Sequence, residues 1–195
     1  MPTIITKVQE QLNKKKNILP HGREAQNWLL EKVKNLRVKG IDRQRLLSEG
    51  RTKNKTIIGR FYFYFYDAKH KEELPYFDKF PMVVPIEQYP DGFLGLNLHY
   101  IPPRDRLILL TQLQKFANGS LNDERTRLRL SYPILRAAHN AYRATPCVKR
   151  YLTTHIKSRV IEIPANEWHI AAALPLQKFS GAPSSEVWSD SKEKY

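Results

Sequence analysis

An unbroken row of alternating rings constrains the fold of this chain more than any other feature. Residues 56–66 read Thr-Ile-Ile-Gly-Arg-Phe-Tyr-Phe-Tyr-Phe-Tyr. β-Branched and aromatic side chains fit a pleated surface, so the spacing predicts a strand across 56–66. A period of two places Phe61, Phe63 and Phe65 on one face and Tyr62, Tyr64 and Tyr66 on the other. Rings on both faces require cover on both faces, or a ligand on one. The tyrosine row thus has two readings, a stacking platform for single-stranded bases or a second buried layer. Only Arg60 and Lys69 stand nearby in sequence to follow a nucleic-acid backbone, which weighs toward burial.

The rest of the chain supplies partners for such a strand. Residues 82–88 form a second strand, and Tyr89-Pro90-Asp91-Gly92 has turn chemistry with proline at its first central position. Residues 93–100 form a third strand, with Leu94, Leu96, Leu98 and Tyr100 on one face. Together 82–100 is a hairpin. Pro102 and Pro103 then open a helix carrying Leu107, Leu110, Leu113 and Gln114, which stops at Asn118-Gly119. A second helix spans 131–144. Residues 146–163 give a short turn-helix and then an edge strand at 160–163, ended by Pro164; Asn166 caps a short helix through Trp168. The first fifty residues are polar and helical, with Trp28, Leu29, Val33 and Leu36 on one face. The expected fold is α+β: a small twisted antiparallel sheet or partly open barrel, packed by helices and preceded by a basic helical arm. The expected divisions are an arm at 1–53, a core at 54–180 and a helical tail at 181–195 anchored by Val187 and Trp188.

Charge points to the partner. Lys and Arg number 33 against 19 Asp and Glu, a formal net charge of +14 in 195 residues. The excess is uneven: residues 1–53 hold 13 basic and 5 acidic side chains, 54–117 hold 8 and 7, 118–160 hold 9 and 2, and 161–195 hold 3 and 5. Two cationic blocks flank a nearly neutral centre. Such density repels itself unless a polyanion neutralises it. The candidate phosphate-binding residues are Lys14, Lys15, Lys16, Arg125, Arg127, Arg129, Arg136, Arg143, Lys149, Arg150, Lys157 and Arg159. Arg125, Arg127 and Arg129 share a face if extended, and Arg136 and Arg143 share a helical face. Contacts of this kind release counterions and read little sequence. A solvated surface or a cradle for an acidic protein neighbour is the competing reading.

Other chemistry finds little support. No run approaches the roughly 18 apolar residues of a membrane-spanning helix, and the first seven residues lack an apolar signal-peptide core, so a reducing cytosol is the expected place of synthesis. Cys147, the single cysteine, suits a semi-buried structural thiol. The six histidines show no zinc-like spacing, and His99 is expected to face solvent or an interface. Asp67, Asp78 and Glu87 with Lys69, Lys71 and Lys79 are a weak match to metal-dependent nuclease spacing, and phosphate-loop and dinucleotide fingerprints are absent. The expectation is a protein without catalytic residues, metal, cofactor or small-molecule substrate.

One long stretch carries a resemblance. Tyr66-Asp67-Ala68-Lys69, then Leu74-Pro75-Tyr76-Phe77-Asp78-Lys79-Phe80-Pro81, then residues 92–103 resemble a segment of DNA end protector and head-completion proteins of large contractile-tailed bacteriophages. Cys147-Val148-Lys149-Arg150-Tyr151-Leu152, and Glu167-Trp168 with Leu174-Pro175 and Phe179, are similar as well, so the likeness covers residues 58–190. It implies a virion protein made in the host cytoplasm that sits near the portal or neck and caps the genome's end. It transfers no catalytic residue. A neck, tail or baseplate component docking on acidic virion proteins is the alternative.

Overall fold

A computed structural model describes residues 4–14, 23–35, 47, 52–117 and 147–193. The strands are β1 (Thr52–Lys53), β2 (Phe61–Phe63), β3 (Phe77–Asp78), β4 (Met82–Tyr89), β5 (Gly92–Asn97), β6 (Val148–Leu152), β7 (Val160–Ile163) and β8 (Phe179–Ser180). The helices are α1 (Ile4–Lys14), α2 (Arg23–Asn35), α3 (Pro103–Ala117), α4 (Trp168–Ala173) and α5 (Ser184–Glu193). Six strands form one sheet in the order β1-β7-β2-β4-β5-β6, each pairing antiparallel, and the sheet stays open rather than closing into a barrel. β3 and β8 form a separate pair. The α+β expectation holds, with the open sheet in place of a barrel.

The 82–100 hairpin is present, with Tyr89 opposite Gly92 across the Pro90-Asp91 turn. A Cβ at Gly92 would run into the carbonyl of Tyr151 on β6, so the close approach of that edge strand requires glycine. Pro85 lacks the N–H that a ladder needs, and the register shifts between Pro85 and Glu87, a β-bulge. β5 ends earlier than expected. The Asn97 side chain accepts from the His99 backbone N–H at 3.0 Å and turns the chain into a 3-10 helix at Leu98–Tyr100. The helix from Pro103 ends at Ala117 as its spacing predicts.

Four expectations need correction. Strand pairing over 56–66 is confined to Phe61–Phe63, with an isolated bridge from Tyr66 to Ile156. Gly59, at φ 80°, forms a turn before the strand, and beyond it the Phe65 N–H is taken by the Ser158 hydroxyl at 2.9 Å. Residues 148–152 form an edge strand on β5, and the short turn-helix expected before 160–163 is confined to a 3-10 helix at Thr153–His155. β7 is interior, between β1 and β2, rather than at the edge. Asn166 makes no side-chain cap; it lies within a 3-10 helix, Ala165–Glu167, that leads into α4. The 131–144 helix lies outside the described residues.

The sheet's two faces carry different cores. Phe61, Phe63, Met82, Val84, Leu96 and Leu98 meet Ile5 of α1, Leu29 of α2, Leu107 and Leu110 of α3, most of α4, and Val187 of α5. α4 is the hub of this layer, packing on α1, α2 and α3. Phe61 stacks on Trp168 with centroids 5.2 Å apart, and Phe63 on Phe80 at 5.4 Å. On the opposite face Tyr62, Tyr64, Val83, Phe93, Tyr151 and Val160 form a second cluster, joined by Tyr66 and Ile156. Two connections cover it: the turn before β2, whose Ile57 N–H donates to the Tyr62 hydroxyl at 3.0 Å, and the stretch that brings Ile156 from β6 to β7.

Candidate nucleic-acid interface

Polar side chains divide into a buried set that holds the fold and an exposed cationic set. Asp78 is the centre of the first. Its carboxylate meets His99 Nδ1 at 2.7 Å and accepts from Asn97 Nδ2 at 3.3 Å, the Phe80 N–H at 3.0 Å and the Lys178 N–H at 3.2 Å. Asn97 Nδ2 also donates to the Tyr151 hydroxyl at 2.9 Å, tying this group to the tyrosine face. Burial alone would raise the Asp78 carboxyl, but the His99 ring and the two backbone donors outweigh it and hold the group below its ordinary range. His99 is fully buried, which corrects its assignment to solvent or an interface. Its partner lies 21 residues away, so local alternation could not identify it.

Arg106 is a second fully buried ionisable centre. Its guanidinium donates to the carbonyls of Ile101 at 2.7 Å, His99 at 3.4 Å and Leu174 at 3.4 Å, and to Gln177 Oε1 at 3.1 Å. Burial lowers its pKa to about 9, opposed by Asp78. It also lies 5.7 Å from the ring centroid of Trp188, whose indole N–H donates to the same His99 carbonyl at 3.0 Å. Arg106 thereby pins α3 to the segment that precedes it, to the segment after α4 and to α5. Burial pushes the Cys147 thiol up to about 12, so it is a fully buried structural thiol rather than a semi-buried one. Among the described residues no group of three or more His, Cys, Asp or Glu converges, and no helix is long and apolar enough to cross a membrane.

The exposed set is built by strand pairing. Lys53 lies opposite Val160 on β7, the residue after Arg159, and Lys55 and Lys157 lie on the connections next to these strands. The Lys157 N–H is fixed to the Phe65 carbonyl at 2.8 Å. All four cations are exposed, and among the described residues none forms an ion pair. Glu162, farther along β7, is engaged by Arg60 at 2.8 Å, and Asp67 by Lys71 at 3.1 Å. Lys157 and Arg159 lie on the connection that enters β7, and Lys53 and Lys55 lie on and just after β1, the strand paired with β7.

The remaining candidates are dispersed. The Lys149 ammonium lies 4.3 Å from the Tyr100 ring centroid. Arg150 pairs with Asp91, donates to the Tyr151 carbonyl at 2.9 Å and lies 4.3 Å from the Tyr89 ring centroid, so it braces the hairpin turn. Lys14 is exposed in the last turn of α1. Lys15, Lys16, Arg125, Arg127, Arg129, Arg136 and Arg143 lie outside the described residues. Tyr62 and Tyr64 are fully buried and offer no face to a base, so the row of tyrosines is a second core layer.

Comparison with known families places the chain. The family model described as Phage T4 terminal DNA protecting protein matches residues 5–191. The chain belongs to that family. The match takes in both helices of the arm, every described strand and most of α5, so the resemblance read from residues 58–190 extends to the N-terminal segment. No curated protein and no solved structure matches.

Proposed function

We propose that this protein covers the ends of linear phage DNA within the virion through phosphate contacts and shields them from exonucleases, with no chemistry of its own. The observation that carries this reading is that Lys53, Lys55, Lys157 and Arg159, on the paired strands β1 and β7 or the connections next to them, are all exposed and without ion pairs among the described residues. The family's description, terminal DNA protection, supplies its direction. A protein that caps ends of any sequence needs backbone contacts rather than base readout, and clustered Lys and Arg supply them. Lys14, Lys15, Lys16 and the arginines at 125, 127, 129, 136 and 143 are assigned to the same role by their charge. Portal, neck or tail components are the expected protein neighbours.

Digestion of linear duplex DNA by an exonuclease tests this reading. At saturating protein, full-length DNA is expected to persist, and protection should fade as salt rises because counterion release drives the binding. Degradation equal to the protein-free control would contradict the proposal and would reassign the four cations to acidic virion proteins.

A further inference from the structure

The turn between β1 and β2 carries a feature that phosphate binding leaves unused. Ile57 and Ile58 stand side by side at 39% and 42% exposure, whereas Ile86, Ile161 and Ile163 of the adjoining sheet are buried. The turn that displays them is fixed. The Ile57 N–H is held by the buried Tyr62 hydroxyl, the Gly59 N–H donates to the Pro85 carbonyl at 2.8 Å, and the Arg60 N–H donates to the Ile57 carbonyl at 3.3 Å. Lys53 and Lys55 precede the pair in the chain, and the β1–β7 register sets Lys53 opposite Val160, the residue after Arg159. Glu162, on the neighbouring strand, is neutralised by Arg60. The result is a small apolar tip with cations on its flank.

We propose, on the strength of the DNA-end reading above, that Ile57 and Ile58 cap the terminal base pair of a duplex while Lys53, Lys55 and Arg159 hold the phosphates beside it. The flank of a duplex presents charged backbone and grooves. Its flat apolar surface, the face of a base pair, is accessible only at an end. Isoleucine is among the side chains that proteins insert against unstacked base faces. Two isoleucines are far smaller than the roughly 800 Å² per partner of an ordinary protein interface, and the charge around them suits phosphate. A tip of this kind selects ends without reading sequence, which cations alone cannot do.

The test compares the affinity of the full chain for a blunt duplex and for the same duplex closed at both ends by hairpin loops. The wild-type protein is expected to prefer open ends by about tenfold or more. The double variant Ile57→Ser/Ile58→Ser leaves the backbone hydrogen bonds of the turn in place. It should bind both duplexes equally, with the wild-type salt dependence and an unchanged melting temperature. Preference surviving in the double variant would overturn the cap. Equal wild-type binding to both duplexes would also overturn it while leaving the phosphate reading intact, and would assign the isoleucines to a protein contact. Wild-type protein that binds neither duplex would remove the phosphate reading itself.

Discussion

On one face of the sheet Phe61 and Phe63 meet a continuous layer of helices; on the other Tyr62 and Tyr64 lie beneath two chain crossings. Both pairs come from one alternating run and are equally buried. The phenylalanine side is closely packed because α4 brings α1, α2 and α3 down onto it. The tyrosine side is covered by segments whose outer surfaces carry Lys53, Lys55, Ile57, Ile58, Lys157 and Arg159. A layer of connections must hydrogen-bond its own backbone, and tyrosine hydroxyls help to do so, as at Ile57 and at Leu152, whose N–H meets the Tyr66 hydroxyl at 3.3 Å. The comparison teaches that one face is covered by helices and the other by two connections that carry exposed cations.

Substitutions can break this comparison at graded cost. The largest loss is expected at the polar centre that links both faces: Asp78→Ala removes the acceptor for His99, Asn97 and two backbone donors, and should cost about 3–5 kcal/mol in denaturant unfolding. Phe63→Ala, which empties the stack with Phe80, should cost a similar ~3–5 kcal/mol through its cavity. On the other face Tyr62→Phe is expected to lose about 1 kcal/mol with the bond to Ile57. Tyr64→Phe should cost nothing or stabilise slightly, because the buried Tyr64 hydroxyl has no hydrogen-bond partner among the described residues. A large loss in Tyr64→Phe would show that the tyrosine layer depends on that hydroxyl.

Acid sharpens the same contrast. The Asp78 carboxyl titrates below its unfolded value, so the unfolded chain takes up its proton first as pH falls. Its contribution is complete above the ordinary carboxylate pKa of about 4 and is lost as pH falls through the lower folded value. Unfolding midpoints across that window should fall more steeply for the wild-type protein than for Asp78→Asn. Parallel curves would mean that Asp78 is not a net source of stability.

Local pattern was enough where local pattern decides. The 82–100 hairpin follows from alternation and from Pro90-Asp91, and the helix starting at Pro103 from its prolines and leucine spacing. The alternating run correctly assigned Phe and Tyr to opposite faces, yet it could not show where pairing stops, because Gly59 and Ser158 set those limits through distant contacts. Lys149 and Arg150 masked a strand that exists because β5 offers it an edge. Arg106 and His99 carry no local signal because the contacts that bury them include Leu174 and Gln177 for the one and Asp78 for the other, distant in the chain. Lys157 and Arg159 were legible by charge; the pairing of the strand that carries Lys53 with the strand that follows Arg159 came only with the β1–β7 register.

The central claim is that the cations over the tyrosine face hold nucleic-acid phosphate. The most direct measurement is the salt dependence of duplex binding by the wild-type protein and by Lys157→Gln/Arg159→Gln. The account predicts an unchanged melting temperature, weaker binding for every sequence, and a log–log salt slope shallower by about 2, one for each phosphate left without its cation. An identical affinity and slope in the variant would contradict it.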